Sequence, residues 1–169
     1  MMVTIIIAAV ATMCVLGAGG ALTEIGPWYN ALRIPPWRPP NWAFGPVWSM
    51  IGVFTCAAAV IIWRASPTEW DKAVTVVLFA VNAVLNVLWS LFFFKLRRPD
   101  WALIEVAFLW LSILALIIAF YPRSPLAAAF LTPYLIWVSI ASVLNRAMVR
   151  LNGPFDGRAD RGGIVKGQS

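Results

Sequence analysis

Five times along this chain a run of roughly 20 mostly apolar residues, the length that crosses a bilayer as a helix, ends in a short polar break. No other feature constrains the fold as tightly. Residues 2–22 carry no charge, 43–63 stop at Arg64, and 67–94 stop at Lys95, Leu96, Arg97, Arg98 and Pro99. Residues 100–121 and 125–149 complete the set. Within lipid, a helix satisfies all its backbone N–H and C=O groups inside one segment. The sequence therefore predicts an all-α fold, an integral membrane bundle of five transmembrane helices forming one domain over 1–152. Composition agrees, with 62% hydrophobic and 12% charged residues, against about 45–50% and about 25% in soluble domains. A secretory signal is the competing reading of the first run, but no Lys or Arg precedes it and it exceeds a typical h-region.

The breaks have their own chemistry. Residues 23–41 are polar and proline-rich, and Pro35, Pro36, Pro39 and Pro40 cannot sustain a helix. Ser66, Pro67 and Glu69 read as an N-cap, a first-turn proline and a capping-box acid. Ser124 and Pro125 repeat the first two, and Pro133 predicts a kink in the fifth helix. Residues 153–169, rich in glycine and alternating charge, predict a disordered tail.

Basic residues set the orientation. One side of the bundle holds Arg64, Lys72 and Arg123; the other holds Arg33, Arg38, Lys95, Arg97, Arg98, Arg146, Arg150, Arg158, Arg161 and Lys166. The second side is expected to be cytoplasmic, leaving the N-terminus outside and the tail inside, with a bacterial cell membrane as the expected location. Spread over three juxtamembrane segments, these cations suit anionic lipid and form no compact groove for nucleic acid.

The chain contains no histidine, which removes the commonest general base and metal ligand. No cluster has metal-ligand spacing, no nucleophile has a base beside it, and Cys14 and Cys56 sit in apolar runs as small hydrophobes. Catalytic residues are not identifiable. Binding chemistry is more visible. At 100° per residue, Asn82, Asn86, Trp89 and Phe93 share one stripe of the third helix. Two carboxamides and an indole in hydrocarbon need partners. Helix-to-helix hydrogen bonding is one account; a cavity for a flat ligand is the other, suggested by the two large aromatics. In the fifth helix Pro133, Trp137 and Ala141 recur every fourth residue, a small side chain beside an indole leaving space. Phe44, Pro46 and Trp48 begin the second helix, below a loop bearing Trp28, Tyr29, Trp37 and Trp42. Trp63, Trp70 and Trp101, next to charges at helix ends, read as interfacial anchors. Glu105 is the one acid well inside a span, at a depth comparable to Arg146, and a structural ion pair between them is expected; a coupling acid in a small ion-driven transporter is the alternative.

Taken in order, Trp28-Tyr29, Leu32, Pro35, Trp37, Pro39-Pro40, Trp42, Phe44, Pro46, Trp48, Asn86, Trp89, Phe93-Phe94, Trp101 to Glu105, Pro133 to Trp137, Leu144-Asn145 and Leu151-Asn152 resemble the TspO/MBR family of tryptophan-rich sensory and translocator proteins, also called peripheral benzodiazepine receptors. The resemblance implies a five-helix bundle, often a homodimer, with a pocket for tetrapyrroles such as protoporphyrin IX and, in some members, sterols or benzodiazepine-type drugs. It maps that pocket to Tyr29, Trp37, Trp48, Asn86, Trp89, Trp137 and Ala141, beside Asn82 and Phe93 from the same stripe. It also implies porphyrin handling or transport, or stress- and light-linked regulation, with porphyrin as ligand and no obligatory cofactor. Light-dependent porphyrin breakdown is the enzymatic alternative, which needs no histidine because the excited ring generates the reactive species. Gly52 stands where the family commonly has tyrosine, and the fifth helix lacks the tyrosine of a sterol-recognition pattern.

Overall fold

The structure, a computed structural model, describes residues 2–155. Its helices are α1 (Met2–Leu22), the short α2 (Pro27–Asn30), α3 (Asn41–Arg64), α4 (Glu69–Ser90), α5 (Pro99–Phe120) and α6 (Pro125–Asn152), and a π-helical turn, Leu91–Lys95, continues α4. Five of these are long and apolar enough to cross a membrane. The tail beyond residue 155 lies outside the described residues.

The bundle is a ring. α3 packs on α6, α6 on α5, and α5 on α4, while α1 closes the circuit by leaning on α3 and α4. Lipid is as apolar as leucine, so helices in it associate through close packing and interhelical hydrogen bonds. Both are present. Ala58, Ile62, Leu116, Phe120, Ala127 and Leu131 pack into one cluster whose members are fully buried. Asn82 Nδ2 donates to Ser112 Oγ at 2.8 Å between α4 and α5, and Trp110 Nε1 donates to Ser139 Oγ at 2.9 Å between α5 and α6. α1 differs from the other spans, because none of its residues is buried.

Helix ends follow the sequence with corrections. Ser124 caps α6 as expected, its side chain accepting from the Ala127 N–H. Ser66 does not cap α4: its hydroxyl donates back to Ile62 O at 2.8 Å, and Thr68 accepts from the Asp71 N–H instead. The first turn begins at Glu69, two residues beyond the expected start, because Thr68 Oγ1 satisfies the donor that would otherwise be orphaned. α2 was not expected; Pro27 at its first position presets φ for a helical turn. α6 runs through Pro133 and continues to Asn152. The π turn carries i→i−5 bonding, with Leu96 N–H donating to Leu91 O at 2.9 Å. Arg97, with φ of 53°, then reverses the chain into α5.

The proline-rich loop is tied down. Arg33 N–H donates to Asn152 Oδ1 at 2.7 Å, and Asn152 Nδ2 donates to Arg33 O at 2.8 Å, so one carboxamide pairs both backbone groups of a loop residue. Asn152→Ala removes both bonds. At about 1 kcal/mol net each, the expected result is at least about tenfold faster amide exchange around Arg33, with the α5 and α6 amides unchanged; unchanged loop exchange would refute the latch.

Glu24, between α1 and α2, hydrogen-bonds and pairs with Lys95 of the π turn. That hydrogen bond, then the ammonium charge, holds its carboxyl below the ordinary 4.5. A depressed folded-state pKa stabilises above the unfolded value and stops doing so as pH falls through the lowered one. The contact is therefore expected to be intact at neutral pH and lost only below 4.5, and carboxyl NMR titration of Glu24 checks this, with Lys95→Ala returning the midpoint upward.

Candidate functional site

Between α1, α3 and α4 lie two adjoining, partly open cavities of about 420 and 480 Å³. Val15, Leu16, Trp48 and Asn86 line both and form the waist between them. The 420 Å³ cavity lies toward the proline-rich loop and is walled by Tyr29, Phe44, Trp48, Trp89 and Phe94, with Asn41, Ser49 and Ser90 adding polar edges. The 480 Å³ cavity is aliphatic, with Ile7, Ala11, Ile51, Ala59 and Val76 among its walls. No charged side chain lines either one among the described residues.

The aromatic wall is braced from behind. Trp89 stacks on Phe93 with ring centroids 5.3 Å apart and meets Phe94 edge-on at 6.0 Å. Trp48 meets Tyr134 edge-on at 5.9 Å. The Tyr134 hydroxyl accepts from Asn86 Nδ2 at 2.8 Å, fixing the carboxamide at the waist. The π turn contributes directly. By widening the helix after Ser90, it lets the neighbours Phe93 and Phe94 both reach Trp89, one from the buried side and one from the cavity. At the mouth, Arg38 donates from Nη1 to the Tyr29 hydroxyl at 3.1 Å.

The structure thus brings Tyr29, Trp48, Asn86 and Trp89 to one cavity. It places the other expected residues elsewhere. Asn82 is buried on the α5 side and touches only the aliphatic cavity, and Phe93 is buried behind Trp89. Trp37 is half exposed in the loop, while Trp137 packs edge-on against the wall residue Phe44 at 5.4 Å, behind the cavity; neither of them lines a cavity, nor does Ala141. Trp63, expected to be only an anchor, carries Lys72 over its ring at 5.8 Å and also lines the aliphatic cavity.

The expected Glu105–Arg146 ion pair does not form. Arg146 is exposed, whereas Glu105 is buried and neither of its carboxyl oxygens has a hydrogen-bond partner among the described residues. The cause is helix phase. Asn145 takes the position facing α5, where its carboxamide, with nitrogen toward Pro99 O (3.0 Å) and oxygen toward the Leu103 N–H (3.1 Å), bridges two backbone groups. One residue further, Arg146 is turned by about 100° away from that face.

The walls missed in the sequence belong mostly to α1 and the π turn: Val15, Leu16, Gly19, Gly20 and Phe94. Gly52 is informative. A Cβ there would lie 2.5 Å from Leu16 Cδ1, so the bare backbone of α3 is what admits Leu16, which occupies the position where a larger residue on α3 would project.

Comparison with known proteins gives a consistent result. A model of the TspO/MBR family matches residues 4–151. Similar proteins include CrtK of Rhodobacter capsulatus, 33% identical over 136 residues and covering 80% of this chain and 85% of its own. The tryptophan-rich protein TspO of Chlorobaculum tepidum is 38% identical over 128 residues, covering 74% and 79%. The human translocator protein is 34% identical over 126 residues, covering 74% and 75%.

Proposed function

The chain belongs to the TspO/MBR family of multi-pass membrane proteins, and we propose that its loop-side cavity binds a planar tetrapyrrole of the protoporphyrin IX type for handling or transport within the membrane. The observation that carries this is the wall chemistry. Trp48 of α3 and Trp89 of α4 both line a 420 Å³ space with no charged lining, within the range of about 300–1,000 Å³ that holds drug-sized ligands. Aromatic faces hold a flat ring by offset or edge-on contact. Asn86 at the waist supplies a hydrogen bond for a polar substituent, and Arg38, held against Tyr29 at the mouth, suits an acidic one. The chain has no histidine, so stacking and these polar contacts, without imidazole coordination, fix the ring. The bias of basic residues toward that end of the bundle supports a cytoplasmic opening for the loop side of the cavity.

Protoporphyrin IX titrated into the full chain in lipid nanodiscs tests the reading. Saturable quenching of tryptophan fluorescence, matched by a shift in the porphyrin's own absorption, is expected. Absence of saturation overturns it. Illumination of the complex then separates chemistry from carriage: bleaching faster than that of free porphyrin assigns a degrading activity, and an unchanged spectrum leaves binding and transport.

A further inference from the structure

Behind the cavity wall two buried polar groups lack hydrogen-bond partners among the described residues: the indole nitrogen of Trp89, and both carboxyl oxygens of Glu105. They belong to different helices, but the packing of those helices brings them together. Asn82 on α4 and Ser112 on α5 are hydrogen-bonded at 2.8 Å, which fixes how the two antiparallel helices align. Seven residues make nearly two full turns. Stepping seven forward from Asn82 reaches Trp89, and seven back from Ser112 reaches Glu105, so the next pair on the same two stripes is Trp89 opposite Glu105. Contacts on both sides keep this alignment. Leu85 packs in the cluster containing Leu109, and Phe92 meets Trp101 edge-on at 6.1 Å. Trp89 itself packs against the clusters that hold Ala102, one turn before Glu105, and Leu109, one turn after it, on that face of α5.

One group is a donor and the other an acceptor, both removed from water and from lipid headgroups. Leaving either unsatisfied in a low-dielectric interior is unfavourable, and pairing them relieves both. We infer that Glu105 is a positioning residue for the cavity: its carboxyl group takes the indole N–H of Trp89, directly or through one water molecule, and so sets the tilt of the ring that forms the cavity wall. Trp89 lines the cavity while Glu105 does not, so in this pairing the carboxyl acts on the ligand only through the ring. This gives the buried acid of α5 a role in ligand selection, with no ion pair and no coupled ion.

Two measurements need no ligand. In the full chain in nanodiscs, the indole ¹⁵N–¹H signal of Trp89, assigned by its loss in Trp89→Phe, is expected to move in Glu105→Leu and to return toward its native position in Glu105→Gln, which keeps an acceptor. The carboxyl stretching band of Glu105, assigned by its loss in Glu105→Gln, is expected to shift in Trp89→Phe; this serves where Glu105→Leu does not fold. An indole signal indifferent to Glu105, or a carboxyl band indifferent to Trp89, overturns the inference.

A third measurement rests on the proposed porphyrin binding. Glu105→Leu should weaken it about fivefold, the effect of one net hydrogen bond, and should have no further effect in a Trp89→Phe background. Additive losses would mean that the two side chains act separately, and would also overturn it. Failure of the native chain to bind porphyrin would refute the proposed function while leaving the two spectroscopic results to decide the pairing.

Discussion

Trp48→Ala is expected to weaken porphyrin binding about thirtyfold, the loss of about 2 kcal/mol that marks a dominant aromatic contact. Among the described residues no other aromatic lines both cavities. Truncation removes the stacking surface, merges the two spaces and takes away the ring that holds Tyr134 edge-on. Trp48→Phe, which keeps a ring but not its full area, should fall between. The contrast that gives the measurement its force is Trp137→Phe. Trp137 braces Phe44 from behind and lines neither cavity, and Phe keeps a ring in that place, so affinity should stay within about twofold, a change of about 0.5 kcal/mol. Porphyrin absorption should be the readout, because each variant alters the protein's own fluorescence. Equal losses at Trp48 and Trp137 would move the site to the α3–α6 side of the ring.

The largest stability effect is expected at the opposite end of the bundle. Phe120 is fully buried in the α3–α5–α6 cluster, lies 5.4 Å from the Phe79 ring and has the Arg123 guanidinium 6.0 Å from its own. Phe120→Ala should destabilise by about 3 kcal/mol, the lower end of the range for a buried phenylalanine, since in a membrane the displaced ring passes into lipid and the lost packing is the main term. The apparent melting temperature in nanodiscs should fall accordingly. Porphyrin affinity measured well below that temperature should be unchanged, because no atom of this cluster touches the loop-side cavity.

The five spans were legible because hydrocarbon imposes a single requirement, length of apolar chain, that any sequence displays openly. Loop-side aromatics such as Tyr29 and Trp48, and the polar Asn86 in an apolar helix, stood out because each is costly or unusual at its position. What α1 contributes was hidden for the converse reason. When every residue is apolar no face is distinguished, so nothing in the sequence shows that Leu16 and Gly19 turn inward. The π turn was equally hidden, since Phe93 and Phe94 fit an α-helix by composition and only the i→i−5 bond at Leu96 reveals that both can serve one site. The Glu105–Arg146 pairing failed on phase: depth along a helix was readable, but which of the adjacent Asn145 and Arg146 faces α5 depends on the packing of the whole ring.

α1 borders the cavity through Leu16 set against Gly52 and buries none of its own residues, which makes it the wall with the least holding it. A ligand already dissolved in the bilayer therefore needs to part only α1 from α3 or α4, without desolvating at the headgroups or lifting the latched loop. Exchange would then run in two dimensions, with lipid as the reservoir. Affinity at equilibrium is the same by either route, so the rates tell them apart: a cross-link tying α1 to α3 should slow both binding and release of such a ligand, whereas a ligand arriving through the loop from solution would exchange at an unchanged rate.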